Sequence, residues 1–431
     1  MSFPWRQRNK WRGLDCRRNF PLSPRPKPLS RVCARALYRH HARSAPPIPD
    51  ADPVPITARL IAAASELSVA DWDACAGADN PFTSHAFLTS VEDSGSATPR
   101  TGWAARHIVI DDACGRPAAI LPAYLKSHSQ GEYVFDHAWA DAFERAGGSY
   151  YPKLQIGVPF TPATGPRLLL RDPALAPALL LAAETLCRQN GLSSAHATFI
   201  EPDKLDPFRI AGWLMREDQQ FHWEDAGYGD FAGFLGALAS RKRKDIRKER
   251  EAALADGITI EHLSGTDITE AHWDVFWRFY QDTGARKWGQ PYLKRKFFSM
   301  IGERMGERTL LMLARREPGN YIAGALNFIG ADTLYGRYWG CSEDVPFLHF
   351  ELCYYQAIDW ALANGRRRVE AGAQGSHKLA RGYLPTITHS AHFIENPGLR
   401  AAIADYLERE RAAVEAHAAE LAAHAPFRRA D

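Results

Sequence analysis

The sequence predicts a mixed α/β protein made of two related halves behind a separate N-terminal segment. Three observations predict it. Strand-like and helix-like stretches alternate from Ile56 onward. A local pattern repeats: "LCRQNGLSSAHATFI" (186–200) and "WALANGRRRVEAG" (360–372) each read as a helix end, Asn-Gly, a polar gap and a strand, with the Asn-Gly pairs 174 residues apart. The 431 residues, 45% hydrophobic and 24% charged, suffice for two or three soluble domains, each with its own core.

Residues 1–55 come first. They hold ten Pro and twelve Lys/Arg against three Asp. Such a segment cannot bury enough apolar surface to offset its ordering entropy, so disorder is expected. Its Arg-rich, acid-poor character is that of an organellar transit peptide, but the proline density works against the amphipathic helix such a peptide needs.

The first half, 56–215, carries strand candidates at Ile56–Ala62, Ala105–Ile110, Ala118–Leu125 and Ala195–Ile200, with a helix at 173–190. The second, 216–431, carries strand candidates at Ile258–His262, Thr309–Ala314, Tyr321–Phe328, Leu334–Trp339 and Arg368–Ala371. Its helix candidates lie at 231–255, 268–283, 291–304, 349–363 and 399–422, and 238–255 is strongly basic. Asn190-Gly191 and Asn364-Gly365 are read as helix stops, because glycine takes the left-handed conformation at low cost.

The net charge of +3 hides an asymmetry: with +9 on residues 1–55, the other 376 residues carry −6. A mildly acidic body excludes a general nucleic-acid binder and makes any basic site local. The seven cysteines include no C-x-x-C pair, which points to reduced thiols and a cytoplasmic location. No apolar run is long enough for a transmembrane helix.

In the second half the order is strand, helix, helix, three strands, helix, strand. That is the order of the GNAT acyltransferase fold, in which a mixed sheet splays and an acyl donor sits in the opening. The strings "NPFTSHAFL" (80–88), "YLKSHSQGEYVFD" (124–136), "YYPKLQIGVPFTPATGPRLL" (150–169), "SRKRKDIRKERE" (240–251), "LYGRYWG" (334–340), "LHFELCYYQAI" (348–358) and "EAGAQGSHKLARGYLP" (370–385) together closely resemble the FemAB-like family of predicted N-acyltransferases, also filed under peptidoglycan biosynthesis. The resemblance covers about residues 57–420, with departures at His137 and Ser376. It implies two tandem GNAT-like domains related to Fem-type aminoacyl transferases.

The basic stretch has seven Lys/Arg in ten residues from Arg241 to Arg250. Arg243–Arg247 and Lys244–Lys248 are like-charged pairs at i, i+4, each mildly destabilising. Arg241, Arg243 and Arg247 are therefore expected to face the anionic part of a donor or acceptor. "EAGAQGSHKLARGYLP" offers Gln374, His377, Lys378 and Arg381, a set able to clamp a phosphate or carboxylate. Glu351, in the first turn of a helix, is the candidate base for the acceptor amine, with Tyr338 or Tyr355 as the acid and His377 beside them. Arg337 and Trp339 flank Tyr338 as binding candidates. Lys126, His128, Glu132, Asp136, Tyr151 and Lys153 are expected to form a polar acceptor pocket in the first half. His389 and His392 lack partners at metal spacing, and no metal site is expected.

Two function classes follow. One is an N-acyltransferase moving an acyl or aminoacyl group from an activated donor to a small-molecule or carrier-linked amine. Its donor is open between acyl-CoA and aminoacyl-tRNA, and no cofactor is assigned. Acetyl-CoA enzymes of this fold cradle pyrophosphate with R/Q-x-x-G-x-G/A, whereas the corresponding loop, "GCSEDVPFLHFE" (340–351), lacks those glycines and carries Glu343 and Asp344. The other class is a non-catalytic binder of RNA or an anionic lipid or carrier. The two differ on whether Glu351, His377 and the clamp converge on one cavity.

Overall fold

The computed structural model describes residues 56–288, 291–372 and 375–428. The expectations for residues 1–55 and for Gln374 lie outside the described residues.

The first half runs β1 (Ala58–Ile61), α1 (Val69–Ala76), α2 (His85–Asp93), β2 (Trp103–Ala105), β3 (His107–Asp111), β4 (Pro117–Leu121), β5 (Ala123–Lys126), α3 (His137–Arg145), β6 (Lys153–Ile156), β7 (Leu169–Leu170), α4 (Ala176–Asn190), β8 (Ser194–Ile200), α5 (Asp206–Ile210) and β9 (Leu214–Glu224). The second continues with α6 (Phe231–Ala237), α7 (Ser240–Ala253), β10 (Thr259–Ser264), α8 (Glu270–Trp288), α9 (Arg295–Met305), β11 (Thr309–Glu317), β12 (Asn320–Ile329) and β13 (Thr333–Cys341). It closes with α10 (Leu348–Phe350), a π-helical turn at Glu351–Tyr355, α11 (Gln356–Ala363), β14 (Arg368–Glu370), β15 (Leu384–Ile394) and α12 (Pro397–Ala423).

The halves share a plan. In each, an antiparallel series leads into a helix and then into a strand parallel to the last of the series: β6 with β8, and β13 with β14. Gly191 and Gly365, with φ of 64° and 65°, end the two helices as the sequence echo predicts. The fold is thus mixed α/β, two GNAT-like units in tandem.

They are joined through backbone. The large sheet has the order β10-β11-β12-β13-β14-β9-β15-β8-β6-β5-β2, and β1-β3-β4-β7 form a second sheet. Strand β9, from the first half, lies between β14 and β15, and β15 lies between β9 and β8. Position 215 falls inside β9, where Met215 pairs with Ala391. One apolar core also spans both halves: Phe82 packs edge-on against Phe328 and Tyr335, with ring centroids 5.2 and 5.0 Å away.

Candidate active site

A short pairing creates the opening. β13 and β14 are in register only from Thr333–Tyr335 to Arg368–Glu370. β13 then runs on to Cys341 while β14 stops, so the sheet splits beyond Tyr335 and Glu370. Within the split, Leu326 pairs with Tyr338 but Asn327 pairs with Gly336. Arg337 is the extra residue of a β-bulge, a device that bends a strand and re-aims its side chains.

The split holds a cavity of about 110 Å³. Gly336, Arg337, Tyr338 and Trp339 line it from β13, Asn327 from β12 and Ala371 from beyond β14. His349, Cys353 and Tyr354 line it from the helix opposite. Cys353 and Tyr354 belong to the π-helical turn; such turns insert one residue and shift the face a helix presents. The spacing in "LHFELCYYQAI" gave no sign of that turn, so neither residue was singled out from sequence.

Of the expected site residues, Arg337, Tyr338 and Trp339 line the cavity directly. Arg337 and Tyr338 both donate to the carbonyl of Phe160, at 2.8 and 3.2 Å. Phe160 holds φ at 58°, a left-handed conformation costly for an aromatic residue and one that clusters at functional sites. His377 reaches the cavity through Tyr354, whose hydroxyl lies 3.0 Å from His377 Nε2. Burial raises the Tyr354 phenol well above its usual range, so the group is a hydroxyl donor at neutral pH. The ammonium of Lys378 donates to the carbonyls of Ala371 and Gly372 at 2.6 and 2.7 Å. It pins the loop leaving β14, and burial lowers it to about 8.

Glu351 does not open on the cavity. Its side chain is 0% exposed, and Arg250 donates to both of its oxygens at 3.0–3.2 Å. Gln356 Nε2 donates to it at 2.7 Å. Burial raises its carboxyl, and Arg250 only partly offsets this. A base needs a lone pair facing the substrate, and this carboxylate is already spent on a brace. Tyr355 donates its hydroxyl to Glu249, and Arg381 is bound to the same carboxylate at 2.7 and 2.8 Å while covering the Phe350 ring. The expected acid and clamp are thereby fastened to α7. Glu351, Tyr355 and Arg381 hold the basic helix to the second half; Arg381 also donates to the His377 carbonyl at 2.7 Å, so the clamp meets His377 while Glu351 is turned to Arg250.

The remaining cations of α7 are different. Arg241, Lys244, Arg247 and Lys248 are exposed and Arg243 is half-buried, and none of them has an ion pair among the described residues. Ile246 supplies the buried contact that seats the helix.

In the first half, Lys126, Glu132, Asp136, Tyr151 and Lys153 come together as expected, but inside the protein. Lys153 donates to Glu132 at 2.7 Å, to Ser129 at 2.8 Å and to Asp136. Lys126 sits 3.5 Å over the Trp103 ring and donates to the Gln130 carbonyl at 3.1 Å. Burial lowers Lys126 to about 7 and raises Glu132 to about 7. Burial would raise Asp136 too, but Lys153 and His196 pull it below the carboxylate range. Tyr151 bonds Ser129 at 2.7 Å. His128 packs on Gly102, and burial beside Lys126 lowers it to about 4. Most of these groups pair with one another, while Glu132 Oε1 and Asp136 Oδ1 stay buried without a hydrogen-bond partner among the described residues.

The chain matches a FemAB-like family model, described as peptidoglycan biosynthesis/recognition, over residues 63–429. No curated protein matches it by sequence. Among solved structures it resembles FemX at 13% identity and a TM-score of 0.49, over 78% of this chain and 98% of that one. L-PGS from Bacillus licheniformis gives 9%, 0.46, 77% and 98%. A tandem GNAT protein from the clavulanic acid biosynthesis pathway gives 14%, 0.41, 79% and 99%.

Proposed function

The chain belongs to the FemAB-like family, and from that premise we propose that it is an N-acyltransferase that moves an acyl or aminoacyl group from an activated donor to an amine. The observation that carries this reading is the cavity in the split between β13 and β14. A carbonyl placed there meets the bulge at Arg337, where backbone polar groups leave the regular ladder and can polarise it. Trp339 and Tyr354 provide an aromatic wall for the acyl group, and the Tyr354 hydroxyl, held by His377, can hydrogen-bond the departing oxygen or sulfur. The unpaired cations of α7 suit the anionic body of the donor. Glu343 in the loop after β13 is paired with Arg316 at 2.9 Å, and Asp344 stays exposed, so that loop is a poor pyrophosphate cradle.

The unpaired α7 cations equally favour the second reading, a binder of RNA or an anionic carrier without catalysis. One experiment separates the two. Purified protein is incubated with a labelled acyl donor, either mixed aminoacyl-tRNA or acyl-CoA, and an amine-bearing cell-wall precursor, and products are read by mass spectrometry. The transferase reading expects N-acylated product that Trp339→Ala sharply reduces. Retention of the RNA with no product from either donor would establish the binder instead.

A further inference from the structure

The brace occupies Glu351, and a second buried carboxylate stands at the end of β14, next to Ala371 of the cavity wall. Glu370 is the last residue of β14 and pairs with Tyr335 where the sheet opens. It is 4% exposed, and its Oε2 has no hydrogen-bond partner among the described residues. Gly336 of the cavity wall backs onto it: a Cβ there would sit 3.4 Å from the Glu370 carbonyl. The segment 157–167 covers this face, and the Thr164 backbone N–H bonds the carboxyl.

The surroundings offer acceptors. Gln220 donates its amide nitrogen to the Pro162 carbonyl at 3.0 Å, which turns its oxygen toward His222 Nε2 at 3.2 Å. That oxygen needs a donor, so His222 carries its proton on Nε2 and presents a bare lone pair at Nδ1. Nδ1 is likewise buried and has no partner among the described residues. His222 Nε2 lies 4.0 Å from Glu370 Oε2, and burial lowers the imidazole to about 3, which keeps it neutral. Unpartnered buried polar atoms are rare and call for a ligand or ordered water. Glu370 Oε2, a buried acceptor without a donor among the described residues, fits a group rich in N–H.

We propose that Glu370, with His222 beside it, receives the primary ammonium group of the acceptor and takes its proton, the amine entering on the face of the split covered by residues 157–167. This rests on the transferase reading for its chemistry but not for its binding. One N–H proton passes to Glu370 and on to solvent. The neutral nitrogen attacks the donor carbonyl in the split and a C–N bond forms. The bond from the acyl carbon to the donor's oxygen or sulfur breaks, and that atom leaves with the second proton. Burial raises the Glu370 carboxyl to about 7, against the opposing pull of Arg368, Arg337 and Arg167; Tyr335 and neutral His222 also face it. A base near neutrality is well matched to the task.

Methylammonium chloride is the probe, with potassium chloride at equal ionic strength as control. At about 100 mM it should raise the melting temperature of the wild type by about 2 °C relative to potassium. The rise should be larger at pH 8 than at pH 6, and Glu370→Gln should abolish it. Equal shifts in both proteins, or none in the wild type, would overturn the proposal. In a preparation that transfers acyl groups, Glu370→Gln should also lower kcat at least 100-fold, and an unchanged kcat would overturn it as well. A wild type that binds methylammonium at Glu370 but transfers nothing keeps the amine site and defeats only the transferase reading.

Discussion

Arg250 holds the fully buried carboxylate of Glu351 across two helices, donating to it through Nε and Nη2. Removing the cation leaves a buried charge with only Gln356 for company. Arg250→Ala should destabilise the protein by about 3–5 kcal/mol. Glu351→Gln, which removes the charge itself, should lose less. Urea unfolding of both variants measures the difference, and equal losses would show that the pair is not the main brace.

The free cations of α7 should matter to binding and not to folding. Arg243→Ala combined with Arg247→Ala should weaken donor binding by about 1–3 kcal/mol where charged hydrogen bonds are lost. The melting temperature should hold, since Ile246 seats the helix. Wild-type binding should weaken as salt rises, because screening acts over about 8–10 Å. Normal binding by the double variant at low and high salt would make these side chains a solvated face only.

Lys126 predicts a pH effect. Its folded value is lowered from 10.5 to about 7 by burial. Between those values the unfolded chain holds a proton that the folded one has released, so stability rises with pH across this window. Lys126→Met should flatten that rise in denaturant titrations at pH 7, 8.5 and 10. A slope unchanged by the substitution would mean that Lys126 keeps its proton when folded.

The shared core predicts cooperativity. Phe82→Ala removes a first-half ring packed on Phe328 and Tyr335 of the second half, and should cost about 3–5 kcal/mol. The loss should appear in one transition seen identically by circular dichroism and tryptophan fluorescence. Two separated transitions would mean that the halves unfold independently.

The regular alternation of Ile56–Ile200 and Ile258–Ala371 shows itself because those strands are apolar and their helices end in Asn-Gly. β9 and β15 do not, since both are central strands whose buried positions include Gln220, His222, Ser390 and His392. Buried polar residues erase the apolar pattern that marks a strand. Arg337, Tyr338 and Trp339 were legible because one string places them together. The burial of Glu351 against Arg250 is something no spacing reveals, because that partner is 101 residues away. Glu370 stood in the most chemical string of the chain, but its burial under residues 157–167 is a property of the fold.

The exchange of β9 and β15 sets an order of events during synthesis. β8 and β9 each offer an edge to β15, which ends at Ile394. Until that residue has left the ribosome, the nascent first half carries two bare strand edges for the time needed to make about 170 more residues at roughly 5–20 per second. Exposed edges are templates for pairing with other chains. A truncation ending after α11 would leave those edges open permanently, and such a fragment should aggregate where the whole chain does not.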